Sequence, residues 1–161
     1  MGRRYTCLIP NTIARTVQFD AFEFTPADDK PIKLLGLFIG QTTELGDSAE
    51  EQLVIEVIRG GTGMTSGSGG TGSVAAQTPV PLDSDDAAAG CTYDSGNETL
   101  ATFTSGLTVW RDVFNVRTGY QMWFPPEVQA KCSQANGGMV IRISAPADSI
   151  SWTGTAIIEE G

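Results

Sequence analysis

The sequence predicts an all-β protein, and more narrowly a single-domain antiparallel β-sandwich that is jelly-roll-like. Short apolar segments follow one another at close intervals, and Gly, Pro, Asn or Asp residues separate them in the manner of turns. No stretch shows the apolar period of an amphipathic helix, which argues against a βαβ fold. A chain of 161 residues fits one domain and buries roughly two thirds of its unfolded surface, so it needs neither a metal nor a disulfide to fold.

The two most apolar segments, residues 32–39 and 53–58, are predicted to be buried strands. Both are rich in β-branched or other large apolar residues and are too short to span a membrane. We expect them to pair as antiparallel neighbours at the centre of the core. The polar connection between them contains Gly46, Asp47 and Ser48.

The amino-terminal part contains two shorter strand segments. Residues 5–9 are apolar and are followed by Pro10. Within residues 17–24 the apolar side chains first occupy one side of the expected strand and then the other. This change in the alternation predicts a β-bulge. We therefore divide the chain into an amino-terminal arm or edge strand, residues 1–16, and a sandwich domain, residues 17–161.

A glycine-rich segment, residues 60–73, interrupts the series of strands. It has too few side chains to pack into a core, so we predict a flexible surface loop. Residues 67–72 match the GxGxxG pattern, but no helix pattern follows them to bind a pyrophosphate. Residues 74–80 are predicted to return as an edge strand, since Pro79 and Pro81 limit its pairing.

The second half continues the same alternation of strands and turns. One short helical turn is predicted within residues 126–132. The last two strands are expected to form a hairpin with one solvent-exposed face. The predicted strands are residues 100–103, 107–116, 120–124, 139–145 and 150–159.

Charge and residue types exclude several functions. The chain has 19 acidic and 10 basic residues, a net charge of −9, so we expect no nucleic-acid partner. It has no histidine, which excludes Ser-His-Asp, Cys-His and HExxH sites, and we predict no enzymatic activity and no cofactor. The three cysteines, Cys7, Cys91 and Cys132, are widely spaced, which favours free thiols over a disulfide framework or a zinc site.

No segment resembles a membrane or export signal. No run approaches the roughly 20 apolar residues of a membrane helix. The amino terminus lacks a long apolar segment with a cleavage site behind it. We therefore expect synthesis in a cytoplasm and no membrane partner.

The amino terminus has a local excess of positive charge. Its first 19 residues contain Arg3, Arg4 and Arg15 but no Asp or Glu. One interpretation is a solvated terminal strand. The other is a basic arm that docks on an acidic partner through Arg3, Arg4, Tyr5 and Arg15.

Two further clusters have more than one interpretation. The second half of the chain contains a group of aromatic residues for which there are three interpretations: a subunit interface, a sugar-stacking platform or part of the core. They are Trp110, Tyr120, Trp123 and Phe124, with Trp152 further along the chain. The acidic residues Asp83, Asp85 and Asp86 form either a solvated turn or a calcium ligand set, although the spacing does not continue as an EF-hand. Asn97 begins a formal glycosylation sequon.

Four groups of residues share a pattern with known proteins. They are Leu34-Leu35-Gly36-Leu37 with Gly40-Gln41-Thr42; Thr78-Pro79-Val80-Pro81-Leu82-Asp83 through Ala87-Ala88-Ala89-Gly90; Phe114-Asn115-Val116 with Gly119-Tyr120-Gln121-Met122-Trp123; and Pro146-Ala147-Asp148-Ser149-Ile150 through Gly154 and Glu159-Glu160. Together they resemble a family of small structural proteins encoded near the capsid genes of tailed bacteriophages. The resemblance covers nearly the whole chain and contains no catalytic signature.

The resemblance implies a capsid decoration, or cement, protein with a jelly-roll-like fold. Such a protein would be made in the host cytoplasm and would form a homotrimer on the outer surface of the virion. There it would stabilise the shell by bridging subunits of the major capsid protein. The basic amino terminus would then be the capsid-binding candidate and the aromatic cluster the subunit-interface candidate. The alternative is a glycan-binding β-sandwich, such as a head fibre or an adhesin domain.

Overall fold

Two antiparallel sheets pack face to face in the computed structural model, which describes residues 2–43, 51–133 and 137–161. The first, sheet A, has seven strands: β1 (Arg3–Leu8), β2 (Ile13–Arg15), β4 (Ile32–Gln41), β7 (Val80–Pro81), β10 (Tyr120–Trp123), β11 (Lys131–Cys132) and β13 (Ile150–Glu160). The second, sheet B, has six: β3 (Phe19–Thr25), β5 (Gln52–Thr65), β6 (Val74–Gln77), β8 (Thr92–Asn97), β9 (Thr102–Asn115) and β12 (Met139–Ile143). In the described part of the chain, the helical structure is one 3-10 turn, Pro126–Val128.

The strand order confirms the predicted β-sandwich and is that of a jelly roll. Sheet A is ordered β10-β4-β13-β1-β7, and sheet B is ordered β6-β8-β3-β12-β5-β9. Along the chain, β1, β3, β4 and β5 lie in sheets A, B, A and B in turn. Strand β9 then pairs with β5 in sheet B, and β10, β12 and β13 lie in sheets A, B and A. These eight strands have the connectivity of two Greek keys, and β6, β7 and β8 are additions in the connection from β5 to β9.

The core fills the space between the sheets. In β13, the central strand of sheet A, buried residues alternate with partly exposed ones, as a strand with one solvent-facing side requires. Trp152, on its buried side, contacts Phe19 and Phe114 of sheet B, with ring centroids 5.9 and 6.0 Å apart. Burial of such large side chains between two sheets is the main source of stability for a sandwich.

The predicted pairing of the two most apolar strands is wrong. β4 lies between β10 and β13 in sheet A, whereas β5 lies between β12 and β9 in sheet B. Both strands are buried as expected, but the jelly-roll connection carries the chain from one sheet to the other between them. The predicted polar connection with Gly46, Asp47 and Ser48 lies outside the described residues.

The predicted carboxy-terminal hairpin is also wrong. β12 pairs with β3 and β5, whereas β13 pairs with β1, β2 and β4 in the other sheet. Four of the five residues of β12 are buried, so only β13 has the solvent-facing side that the alternation predicted.

The amino terminus is a strand of sheet A and not an extended arm. β1 pairs with β13 from Arg3, opposite Glu160, to Leu8, opposite Thr155. The two-residue strand β7 covers part of its other side, so β1 is close to the edge of the sheet. The arm hypothesis fails because Tyr5 and Cys7 alternate inward and are fully buried.

The glycine-rich segment is not the predicted flexible loop. Residues 60–65 continue β5 and pair with β9, from Gly60 opposite Gly106 to Thr65 opposite Thr102. Residues 66–72, which we call the covering loop, cross the outer face of sheet B, where Ser68 forms an antiparallel bridge with Thr99. A Cβ atom on Gly67 would lie 1.8 Å from the carbonyl oxygen of Thr99, so this glycine serves close packing.

Several smaller predictions are confirmed. Strand β3 has the expected bulge, since Ile141 and Arg142 of β12 oppose Phe22 and Asp20 and leave Ala21 unpaired. The predicted edge strand is present as β6 and β7, at the outer edges of the two sheets, and the 3-10 turn lies where a helical turn was expected. The predictions missed β2, β8 and β11.

Candidate functional site

The outer side of sheet A presents an apolar surface to solvent. Residues directly opposite one another on antiparallel strands share a face, so the pairing register identifies its members. One row runs Trp123, Gly36, Ile157, Thr6 and Val80, and the next runs Gln121, Phe38, Thr155 and Leu8. We call these two rows the open face.

The open face carries large apolar side chains that a soluble surface rarely groups together. The exposed fraction is 60% for Trp123, 54% for Val80 and 43% for Leu8. Phe38 and Ile157 are half-buried between them. A contiguous patch of this kind on a soluble protein indicates a binding surface.

Trp123 is held in place by its neighbours. Its ring packs edge-on against Phe38, with centroids 5.3 Å apart and planes at 75°. It also covers Gly36, where an added Cβ atom would lie 2.9 Å from the indole ring. A glycine and an aromatic neighbour therefore fix the orientation of the most exposed side chain of the open face.

Charged side chains on this side of the sheet gather at one end. The Nζ atom of Lys33 lies 2.9 Å from the Oε1 atom of Glu159, and Arg4 is directly opposite Glu159 on β1. All members of the open face itself are uncharged. An apolar, charge-depleted centre with a polar rim is the composition of a protein–protein interface.

Two of the four predicted capsid-binding residues are buried. Arg15 is 1% exposed, and its guanidinium donates from Nη1 to the Thr71 carbonyl at 2.9 Å and from Nη2 to the Gly96 carbonyl. Tyr5 is fully buried and donates its hydroxyl to the Ala87 carbonyl at 3.1 Å. Burial lowers the pKa of Arg15 and raises that of Tyr5. The hypothesis that these two side chains bind a partner is therefore wrong for this fold.

The other two, Arg3 and Arg4, are exposed but lie beside the acidic turn. The Nε atom of Arg3 is 3.3 Å from the Oδ1 atom of Asp86, and the backbone N–H of Leu82 donates to the Arg4 carbonyl at 3.0 Å. The charge of Arg3, which has no acidic neighbour in the sequence, is thus paired with a carboxylate in the structure. Asp83 accepts a hydrogen bond from the backbone N–H of Asp85 at 3.0 Å, and within the described residues no group of three or more His, Cys, Asp or Glu side chains is arranged to hold a metal.

Most of the aromatic residues that were predicted to form a subunit interface pack against one another at one side of the sandwich. Tyr120 and Phe124 are each only 5% exposed. Trp110 is half-buried, donates its indole N–H to the Tyr120 hydroxyl at 2.9 Å, and packs edge-on against Phe124 at 5.5 Å. Tyr120 and Phe124 are therefore part of the core, the third of the interpretations given above, whereas the interface prediction for the half-buried Trp110 stays a prediction. Trp123 alone of the four is well exposed.

Polar side chains are buried beneath the covering loop. The Oδ1 and Oδ2 atoms of Asp20 accept from Arg142 at 2.6 and 3.0 Å, and Glu23 accepts from the backbone N–H of Gly67 at 2.8 Å. Desolvation, only partly offset by the hydrogen bond from Gly67, raises the pKa of Glu23 to about 7, and the nearby carboxylate of Asp20 adds to the shift. The sequon residue Asn97 is also buried, at 2% exposure. This cluster supports the fold rather than a surface site.

The cysteines are buried free thiols, as predicted. Burial raises the pKa of Cys91 and of Cys132 to about 12. Both therefore remain protonated near neutral pH, and neither is an activated nucleophile.

A shallow depression adjoins the open face. Its volume is about 270 Å³, and its lining combines hydroxyl and amide groups with two aromatic residues: Phe38, Ile39, Gly40, Thr118, Tyr120, Gln121, Thr153, Gly154 and Thr155. Uncharged hydroxyl and amide groups beside an aromatic ring are suited to hydrogen-bonding a neutral polar ligand.

Sequence reasoning missed most of the open face. Leu8, Val80 and Ile157 belong to three strands that are distant in the chain, and only the sheet order brings them together. One signal was present: three successive outward positions of β13, Thr153, Thr155 and Ile157, carry no charge.

No family model matches the chain, and comparison with curated proteins and with solved structures gives no significant match. Among the described residues, no helix is long and apolar enough to cross a bilayer. The fold and the open face are therefore the main structural guides to function.

Proposed function

We propose that the chain is a structural virion protein of a tailed bacteriophage, a decoration protein that attaches to the outer surface of the capsid and bridges subunits of the major capsid protein. The open face carries this proposal, because it is an apolar surface that no other part of the described chain covers. The resemblance of the chain to small structural proteins encoded near capsid genes supports it.

The charge distribution is consistent with attachment to a shell. The net charge of −9 keeps free molecules apart in solution, whereas the uncharged open face allows close approach to another protein. Several such contacts, linked within one oligomer, would add up to durable attachment through high effective concentration. A homotrimer is part of this proposal.

Binding to undecorated heads tests the proposal. Heads assembled from the major capsid protein of the same genome are mixed with the purified chain and sedimented, and heads of an unrelated phage serve as the control. We expect saturable cosedimentation with the matched heads alone. Absence of cosedimentation at micromolar protein would contradict the proposal.

A glycan-binding sandwich is the second candidate, favoured by the exposed ring of Trp123 near the depression lined by Gln121 and Thr155. Exposed aromatic rings stack on sugars, and hydroxyl or amide groups bind their hydroxyls. The aliphatic side chains of Leu8 and Val80 have no role in such a site. Binding to a glycan array that Trp123→Ala abolishes would favour this candidate over the first.

A further inference from the structure

A second depression lies between the two sheets at the side of the sandwich. Its volume is about 470 Å³, within the range of roughly 300 to 1,000 Å³ that ligand sites occupy. Sheet B contributes Arg59 of β5 and Val109 of β9 to its lining, and the rest is the segment 127–133, which runs from the 3-10 turn into β11 of sheet A. We call it the side depression.

Apolar side chains form two sides of the side depression. Val109 is 42% exposed and Val128 is 48% exposed, and Ala130 is half-buried between the sheets. The register of β9 against β5 shifts between Val57 and Ile58, which leaves Val109 without an opposite residue. A bulge of this kind re-aims a side chain. The depression therefore presents apolar groups that no other part of the described chain covers.

Hydrogen bonds fix the segment that forms the sheet A side of the depression. The Nε2 atom of Gln129 donates to the Phe124 carbonyl at 3.0 Å. The Ala130 carbonyl accepts from the backbone N–H of Leu34, also at 3.0 Å. Because this wall is already ordered, a ligand that binds against it does not bear the cost of ordering it.

Two cations without an ionic partner line the same depression. Most basic residues of the chain lie within 3.9 Å of a carboxylate oxygen; they are Arg3, Arg15, Lys30, Lys33, Arg111 and Arg142. In the described part of the chain, Arg59 and Lys131 form no ion pair, although the sequence has 19 acidic residues and only 10 basic ones. Glu127 is the one acidic residue of the lining. Unpaired cations beside apolar side chains favour a ligand that is both anionic and apolar.

We propose that the side depression is a second binding site, which receives an acidic, apolar segment of the capsid shell. An apolar side chain of that segment packs against Val109 and Val128. An adjacent carboxylate binds Arg59, whose planar guanidinium is suited to a bidentate contact, and Lys131 adds a second positive charge. This inference rests on the proposed function, since it supplies the second contact that bridging requires.

The open face is too small to bridge two subunits by itself. Five strands at spacings of about 4.8 Å give it a width of about 19 Å. Even a square of that side is less than half of the roughly 800 Å² that one partner buries in a standard interface. The open face is on the outer side of sheet A and the side depression is between the sheets, so each can contact a different subunit while the other remains accessible.

Cosedimentation of single variants with undecorated heads tests the inference. Arg59→Gln and Lys131→Gln each remove one cation, and Val128→Asp places a carboxylate in the apolar contact. We expect each variant to raise the Kd for the matched heads about tenfold or more. The Kd of the wild-type chain should also rise more steeply with salt than that of Arg59→Gln. Lys30→Gln, which removes a cation outside the depression, is the matched control and should bind within about twofold of the wild-type chain.

Wild-type affinity in the depression variants would overturn the inference and leave the proposed function standing. Circular dichroism establishes which variants are folded. Lys131 and Val128 are exposed, so Lys131→Gln and Val128→Asp decide the matter even if the more buried Arg59→Gln fails to fold.

Peptide binding separates the site from the proposed function, because it needs no heads. The probe is N-acetyl-leucyl-aspartate amide, and N-acetyl-leucyl-asparagine amide, which lacks only the charge, is its control. At millimolar concentration the aspartate peptide should shift the NMR amide signals of Val109, Val128 and Lys131, and the asparagine peptide should bind about fivefold more weakly or worse. Equal affinities, or shifts confined to other residues, would overturn the site. A wild-type chain that binds the aspartate peptide but not the heads would overturn the proposed function and leave the site standing.

Discussion

At the scale of single residues, burial decides what a charged side chain does. Arg3 and Arg15 belong to the same basic segment of the sequence, yet Arg3 is at the surface and Arg15 is fixed by backbone carbonyls in the interior. Glu23 is likewise buried, and it is an acceptor for the covering loop. Sequence reasoning identified the arginines but could not separate them, because the segments that cover Arg15 are remote in the chain.

The carboxyl of Glu23 should make stability depend on pH. Its pKa is about 7 in the folded protein and 4.5 ordinarily, so the folded state binds its proton more tightly. The resulting stabilisation is present below pH 4.5 and is lost as the pH rises through about 7. A pKa shift of this size corresponds to a change in the free energy of unfolding on the order of 3 kcal/mol.

Replacement of Glu23 by Gln tests this dependence. The amide oxygen can still accept from the Gly67 N–H, but the side chain no longer titrates. Relative to Glu23→Gln, the wild-type protein should lose free energy of unfolding, on the order of 2 to 3 kcal/mol, between pH 5 and pH 8 in urea titrations. If the free energy of unfolding depended on pH in the same way in both proteins, the raised pKa of Glu23 would be refuted. The charged residues that face Glu23, Asp20 and Arg142, are the same in both proteins.

At the scale of elements, the apolar content of a segment predicts whether a strand is buried better than it predicts which strands it pairs with. The segments that became β4, β5 and β12 were all identified as strands, but the assigned pairings of β4 with β5 and of β12 with β13 were wrong. Pairing follows the sheet order of the whole jelly roll, which local pattern does not encode. Strand β8 was missed because Asp94, Ser95 and Gly96 resemble a turn, and Gly96 does have a φ angle of +74°.

The covering loop should depend on the absence of a side chain at Gly67. In Gly67→Ala, the new methyl group would overlap the Thr99 carbonyl and displace the loop from Glu23. We expect a loss of about 2 to 4 kcal/mol in the free energy of unfolding, measured by chemical denaturation.

Gly40→Ala is the matched control for this prediction. A Cβ atom at Gly40 meets nothing within 4 Å, so this substitution should change stability by less than about 1 kcal/mol. Equal stability of the two alanine variants would show that the covering loop is not packed against Thr99.

At the scale of the whole molecule, the fold class followed from the sequence but the binding surface did not. Alternation and turn residues were sufficient to predict an antiparallel sandwich, and the structure confirms it. The open face draws its members from β1, β4, β7, β10 and β13, which become neighbours only in the finished sheet. Trp123 was the one member predicted to be an interface residue, because a large aromatic residue stands out without knowledge of topology.

Strand β1 should be essential for the fold. Its removal would expose the inner side of sheet A where Tyr5 and Cys7 are fully buried, and it would leave β13 without its partner from Arg3 to Leu8. Two large or medium apolar side chains and a six-residue ladder are lost at once, which exceeds the stability of a typical small domain. A chain without residues 2–8 should lack cooperative thermal unfolding by circular dichroism.

The control is a double variant, Arg3→Ala with Arg4→Ala, which keeps the strand and loses only exposed charges, at a cost of less than about 1 kcal/mol. A truncated chain that unfolds cooperatively near the wild-type temperature would show that the amino terminus is an arm after all.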